Sequence, residues 1–123
     1  MDTTSTAAEK KDRLRLLFVC TANHDRSPTA ETLYRQYPAY EVRSCGIHPM
    51  ATVPMSASLI EWADVIICME GHHANAILDQ LPDAVGDTKI VVLGIPDAFP
   101  RNDPRLIDLI RTRMDEIGLS GER

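Results

Sequence analysis

The stretch Leu14-Arg15-Leu16-Leu17-Phe18-Val19-Cys20-Thr21-Ala22-Asn23-His24-Asp25-Arg26-Ser27-Pro28 decides how this chain is read. Leu14 to Cys20 is nearly all apolar, the pattern of a strand covered on both faces. Pro28 suits the first turn of a helix, with Ser27 as its cap. Ala30, Leu33, Tyr34 and Tyr37 then recur at helical spacing until Pro38 stops the run. A thiol, a loop of backbone amides and a guanidinium are thereby gathered between a strand end and a helix start. Orphan amides and the positive end of the helix dipole lower a thiol pKa there and bind an oxyanion. Arg26 adds a planar charge able to grip two phosphate oxygens. Ser27 can donate to the thiolate, and Asn23 tolerates left-handed backbone. Together these are what nucleophilic attack on a phosphate monoester requires.

Outward from this stretch, buried strands and amphipathic helices alternate. Tyr40 to Ser44 reads as an edge strand and Gly46 to Pro54 as loop. Ser58 with Glu61 forms a capping box for a short helix over Leu59 to Ala63, on which Trp62 reads as core. Val65 to Met69 and Lys89 to Leu93 are further strands, separated by a helix face of Ala74, Ile77, Leu78 and Leu81. Gly94 to Asp103 is a loop. Asp103 and Pro104 then open a last helix, carried by Leu106, Ile107, Ile110, Met114 and Ile117 and closed by Gly118. The implied fold is α/β: a small doubly wound parallel four-stranded sheet with helices on both faces, in three layers α/β/α. Ligands in such sheets bind beyond the carboxyl ends of the strands. The Cys20 loop, the Glu70–His73 segment and the loop after Leu93 are therefore expected to meet.

With 123 residues the chain is long enough for one core. Residues 1–12 are polar and read as a disordered leader, 13–119 as a single domain, and 120–123 as a tail. The net charge of −5 argues against nucleic acid or an anionic membrane as partner. No run approaches the roughly 18 apolar residues of a membrane span. The 3 cysteines, without metal-ligand spacing, fit a reducing cytoplasm. No metal and no cofactor is expected, and a monomer is.

The segment from Cys20 to Pro28 resembles the phosphate loop of the low-molecular-weight protein tyrosine phosphatases, whose signature is C-x5-R-S-P after the first strand. Ser44-Cys45-Gly46 is similar to that family's S-A-G. Val65 to Glu70 is similar to its third strand ending in Met-Asp. Ile95-Pro96-Asp97-Ala98-Phe99-Pro100-Arg101-Asn102-Asp103 resembles its acid loop. The likeness runs from about Leu14 to Gly118. It implies a cysteine-dependent, metal-independent hydrolase in which Cys20 is the nucleophile, Arg26 holds the phosphoryl group and Asp97 is the general acid; Asp103 is the rival for that last role, although its place before Pro104 reads better as a helix cap. It further implies that Thr21, Ala22, Asn23, His24, Asp25 and Ser27 bind phosphate, and that His24, His48 and Phe99 border the substrate. The expected substrate is a phosphorylated protein or a small phosphomonoester.

The chain also departs from that pattern. Asp25 stands where the family has a second cysteine, and Ala98 replaces the proline after the acid. The stretch between Gly46 and Ser58 is short, as in a compact bacterial-type member with an open site. His24 occupies a position that, by the resemblance, helps choose the substrate group, and phosphoarginine is an alternative substrate to phosphotyrosine. A catalytically weak phosphate-binding module and an arsenate reductase on the same fold are the rival functions, the latter needing Cys45 or Cys68 in a thiol relay.

Overall fold

The computed structural model describes residues 13–121. The leader expected over 1–12, and residues 122–123 of the tail, lie outside the described residues. Strand β1 (Leu14–Cys20) takes the centre because it is apolar on both sides, and it pairs in parallel with β2 (Tyr40–Gly46) and with β3 (Val65–Cys68). Strand β4 (Lys89–Val92) adds in parallel to β3, giving the order β2-β1-β3-β4. The winding direction reverses between β1 and β3, so the crevice at their carboxyl ends is the topological switch point. Cys20 ends β1 at that crevice.

Alternation along β1 distributes its side chains between two cores. Leu16, Phe18 and Cys20 face α1 (Arg26–Arg35) and α5 (Pro104–Glu116), packing with Leu33, Tyr34, Leu106, Ile110 and Met114. Leu17 and Val19 face the other way. They pack with Ile60 of α2 (Ala57–Trp62), Ala74 and Ile77 of α3 (Gly71–Gln80) and Val85 of α4 (Pro82–Val85). Val19 is in register with Cys45 on one side and Cys68 on the other, and both belong to this second core. The pleat thus puts them on the opposite sheet face from Cys20. Burial pushes each of these two thiols up to about 12.

Several local expectations shift. Helix α1 begins at Arg26 with Asp25 at the N-cap position, so Ser27 is not the cap; its buried hydroxyl is taken up by the site instead. Helix α2 is capped by Ser56, whose Oγ accepts from the Leu59 N–H at 3.3 Å, two residues ahead of the Ser58 box. Trp62 is only partly buried, packing on the second core with the Arg43 guanidinium 4.4 Å above its ring. The short helix α4 had no periodic signal in so few residues. Helix α5 starts as expected, Asp103 Oδ1 accepting from the Arg105 N–H at 2.8 Å, and the turn after it is made by Gly118 at φ 83°. The tail begins in contact with the domain, where Tyr40 Oη donates to the Ser120 carbonyl at 2.7 Å.

Candidate active site

Between β1 and α1 the chain wraps residues 20–26 around a cleft of about 90 Å³. The carbonyls of Cys20, Thr21 and Ala22 accept from the N–H groups of Ile47, His48 and Thr52 at 3.0–3.1 Å. In a trans peptide the next N–H points the opposite way, so this backing turns the amides after each carbonyl toward the cleft. Gly46 permits the close approach: a Cβ there would lie 2.5 Å from the Thr21 carbonyl oxygen and 2.8 Å from the Asn23 nitrogen. Asn23 closes the turn in the left-handed region at φ 54°. Its Nδ2 donates to Ser27 Oγ and to Ser44 Oγ, both at 2.9 Å. With that donation received, the Ser27 proton is free to be given to Cys20 Sγ, 3.0 Å away, or to the Cys45 carbonyl at 3.3 Å.

Arg26 is 2% exposed. Its Nη1 donates to Glu70 Oε1 and to the Ile95 carbonyl, the latter at 2.8 Å, which fixes the plane of the guanidinium beside the thiol. The hydrogen bond from Arg26 holds the Glu70 carboxyl below its usual range. On the far side, Asp97 Oδ1 lies 3.9 Å from Arg26 Nε, and Asp97 lines the cleft with Cys20, Thr21, Ala22, His24, Asp25 and Arg26. Carboxylates thus stand at two nitrogens of one guanidinium, Glu70 bonded at Nη1 and Asp97 nearby at Nε.

His73 is fully buried and its ring is oriented at both nitrogens. Nδ1 accepts from the Glu70 N–H at 2.9 Å, so in the neutral ring the proton sits on Nε2 and is donated to Thr21 Oγ1 at 2.9 Å. Burial, with help from His72 and then Arg26, lowers its pKa to about 4, in keeping with that neutral tautomer.

Of the residues expected from sequence, Cys20, Arg26 and Asp97 come together, and Thr21, Ala22, His24 and Asp25 line the same cleft. Asn23 and Ser27 lie behind the loop and brace it. His48 lines a separate hollow with Ile47, Pro49 and Met55, its Nδ1 accepting from the Met50 N–H. Phe99 packs against the first core beneath the Arg105 guanidinium, 5.4 Å away, and does not line the cleft. Sequence reasoning placed the Glu70–His73 segment near the loop but gave neither residue a role. The signal was present in the polar run Glu70-Gly71-His72-His73 straight after a buried strand. Glu70, His72 and His73 also bring one metal-ligand atom each within 4.8 Å of one another, a grouping the sequence reading did not expect. There Glu70 Oε1 and both His73 nitrogens are already engaged by Arg26, the Glu70 amide and Thr21.

A strand-end thiol, a loop of inward amides and a buried arginine define the phosphate-loop class of cysteine sites on a doubly wound sheet. No protein-family model matches the chain. A curated relative, a protein-arginine phosphatase of Geobacillus stearothermophilus, is 30% identical over 98 residues; the match spans 60% of this chain and 66% of the relative. The structure of the YwlE arginine phosphatase from Geobacillus stearothermophilus superposes with a TM-score of 0.58 at 27% identity, covering 85% of each chain. Wzb of Vibrio vulnificus, in complex with benzylphosphonate, superposes with a TM-score of 0.68 at 22% identity, covering 85% of this chain and 97% of that one. In sequence and in fold the chain is thus similar to low-molecular-weight phosphatases, with a fold shared also with a low molecular weight protein tyrosine phosphatase from Bacillus subtilis.

Proposed function

We propose that this chain is a phosphomonoester hydrolase of the protein tyrosine phosphatase type, working through a cysteinyl-phosphate. The observation that carries the reading is the convergence on one cleft of Cys20 Sγ, with Ser27 Oγ at 3.0 Å, of buried Arg26, and of Asp97 at 3.9 Å from Arg26 Nε. The Cys20 thiolate attacks phosphorus while Arg26 and the loop amides hold the equatorial oxygens. The bond from phosphorus to the leaving oxygen breaks, and protonated Asp97 gives its proton to that oxygen. Asp97, now a carboxylate, takes a proton from water as the water oxygen attacks phosphorus. The P–S bond breaks, returning the thiolate and releasing inorganic phosphate. Ser27 steadies the sulfur anion at both ends of this cycle. The reaction as written uses no group from outside the chain except water.

Phosphorylated proteins or small phosphomonoesters are the proposed substrates, met by a monomeric domain over residues 13–119 in the cytoplasm and without nucleic acid. No helix among the described residues is long and apolar enough to cross a membrane. Phosphoarginine is a second reading, and one observation favours it. The cleft is lined by no tyrosine, tryptophan or phenylalanine, whereas two carboxylates, Asp25 and Asp97, stand at its rim and suit a cationic guanidine better than a phenyl ring. A thiol relay is less favoured, since Cys45 and Cys68 lie across the sheet from Cys20.

The test is Cys20→Ser with p-nitrophenyl phosphate and phosphoarginine as substrates. Turnover of both is expected to vanish while phosphate or vanadate still binds. Residual turnover equal to that of the parent chain would remove Cys20 from the nucleophile role, and a parent chain that binds phosphate without turnover would leave a binding module.

A further inference from the structure

Asp97 hangs on a bridge with few supports of its own. Among the described residues, no hydrogen bond holds the backbone of Pro96, Asp97, Ala98 or Phe99. At the near end the bridge is tied to the sheet, the Ile95 N–H donating to the Met69 carbonyl at 2.7 Å and the Ile95 carbonyl accepting from Arg26. At the far end it is tied to the start of α1. The Arg101 N–H donates to Asp25 Oδ1 at 3.1 Å, and the Asn102 N–H donates to Thr29 Oγ1 at 2.9 Å. Thr29 is itself oriented, its Oγ1 donating to the Asp25 carbonyl at 2.6 Å. Asn102 itself stands in the left-handed region at φ 64°, just before the cap of α5. The Asp25 side chain does not cap its own helix, so its carboxylate is free for this contact.

We infer that Asp25 and Thr29 form a latch that positions Asp97 over the cleft, so that Asp25 is a positioning residue for the general acid. The inference rests on the hydrolase reading above and extends it. A carboxylate at the edge of a dianion site is unfavourable in itself. Its hydrogen bond to the Arg101 amide draws one oxygen toward the acid loop, and the His24 ring, with Nδ1 at 3.5 Å from that same oxygen, flanks it on the solvent side. The chain thus spends an anion at the mouth of its site in order to anchor the loop that carries the acid. An acid that must meet a leaving oxygen within hydrogen-bond reach gains from such an anchor, because misplacement by about 1 Å can lower a rate roughly 100-fold.

The test compares Asp25→Ala, Asp25→Asn and Thr29→Val with the parent chain on a series of aryl and alkyl phosphates of rising leaving-group pKa. Asparagine keeps an oxygen for the Arg101 N–H and drops only the charge. The ratio of kcat/KM on the poorest leaving group to kcat/KM on p-nitrophenyl phosphate, which covers only the steps up to departure of the leaving group, is expected to fall at least about tenfold in Asp25→Ala and several-fold in Thr29→Val. In Asp25→Asn it should stay at the parent value. Amide hydrogen exchange gives a readout independent of turnover: Arg101 and Asn102 should exchange faster in Asp25→Ala, with the Ile110 amide of α5 as internal reference. An unchanged ratio in Asp25→Ala, or equal losses in the alanine and asparagine variants, would overturn the latch. Should the parent chain show no Cys20-dependent turnover, the hydrolase reading fails separately. Exchange at Arg101 and Asn102 would then decide the latch alone, unchanged rates in Asp25→Ala overturning it.

Discussion

Two loops close the candidate site, and they are built in opposite ways. In residues 20–26 each carbonyl from Cys20 to Ala22 has a backing partner, Asn23 and Ser27 brace from behind, and Arg26 is 2% exposed. In residues 94–103 the working side chain, Asp97, is 67% exposed and stands between two tied ends. The contrast follows from the task of each. An oxyanion cradle works by having its dipoles fixed before the charge arrives. A general acid has to meet leaving groups of different shape, and it has to be reached by water in the second half of the cycle. Rigidity therefore collects on the binding loop, and the acid is left at the end of a short tether.

Removing Asp97 should break the comparison most sharply. Asp97→Ala takes away the proton donor and leaves the cradle untouched. The kcat/KM of alkyl phosphates is expected to fall by about 10²–10⁴, while that of p-nitrophenyl phosphate, whose leaving group needs little protonation, falls far less. Phosphate inhibition should persist in the same variant. A steady-state comparison of the two substrates checks this, and equal losses on both would move the acid elsewhere, Asp103 being unsuited because it is committed to Arg105.

The same contrast explains what could be read in advance. The order of elements, the parallel sheet and the meeting of Cys20, Arg26 and Asp97 were legible, because apolar periodicity and breaker residues are local signals. Side-chain pairings made over long stretches of chain were not. Arg26 finds Glu70 across 44 positions and Thr21 finds His73 across 52, and no local pattern states which partner a buried polar group will take. Asp25 read only as a phosphate-loop residue in place of the family's second cysteine, because its partner is the amide of Arg101, and an amide carries no residue-type signature. Phe99 and His48 were misleading for a related reason. Both lie close in sequence to site residues, yet backbone direction turns one into the core edge and the other into a separate hollow.

His73 tests how firmly the binding loop is held. Its folded pKa is lowered from an ordinary 6.5 to about 4, by burial first and then by His72 and Arg26. Between those values the unfolded chain binds the proton and the folded chain does not. This contribution to stability is therefore full above the ordinary value and is lost as pH falls toward the lowered one, by roughly 3 kcal/mol in all. Denaturant unfolding from pH 7 to pH 4 should show that loss in the parent chain. In His73→Asn the slope over the window should flatten, even though the variant is less stable at neutral pH. Parallel slopes in the two proteins would mean that the ring is not held neutral.

The smallest effect separates the two loops by the cause of the damage. Gly46 backs the binding loop with no unusual φ, and the obstacle to a side chain there is contact: backbone atoms of Thr21 and Asn23 and the Ala51 Cβ all lie within 2.8 Å of an added carbon. Gly94, at the root of the acid loop, has open space around it but stands at φ 72°. Gly46→Ala should therefore cost about 1–3 kcal/mol by overpacking and weaken phosphate binding, since the atoms displaced are those of the cradle. Gly94→Ala should cost about 1–2 kcal/mol through left-handed strain, without weakening phosphate binding. Unfolding midpoints together with phosphate affinity for the pair decide the matter. Were phosphate affinity to survive in Gly46→Ala and fall in Gly94→Ala, the rigid cradle would have been assigned to the wrong loop.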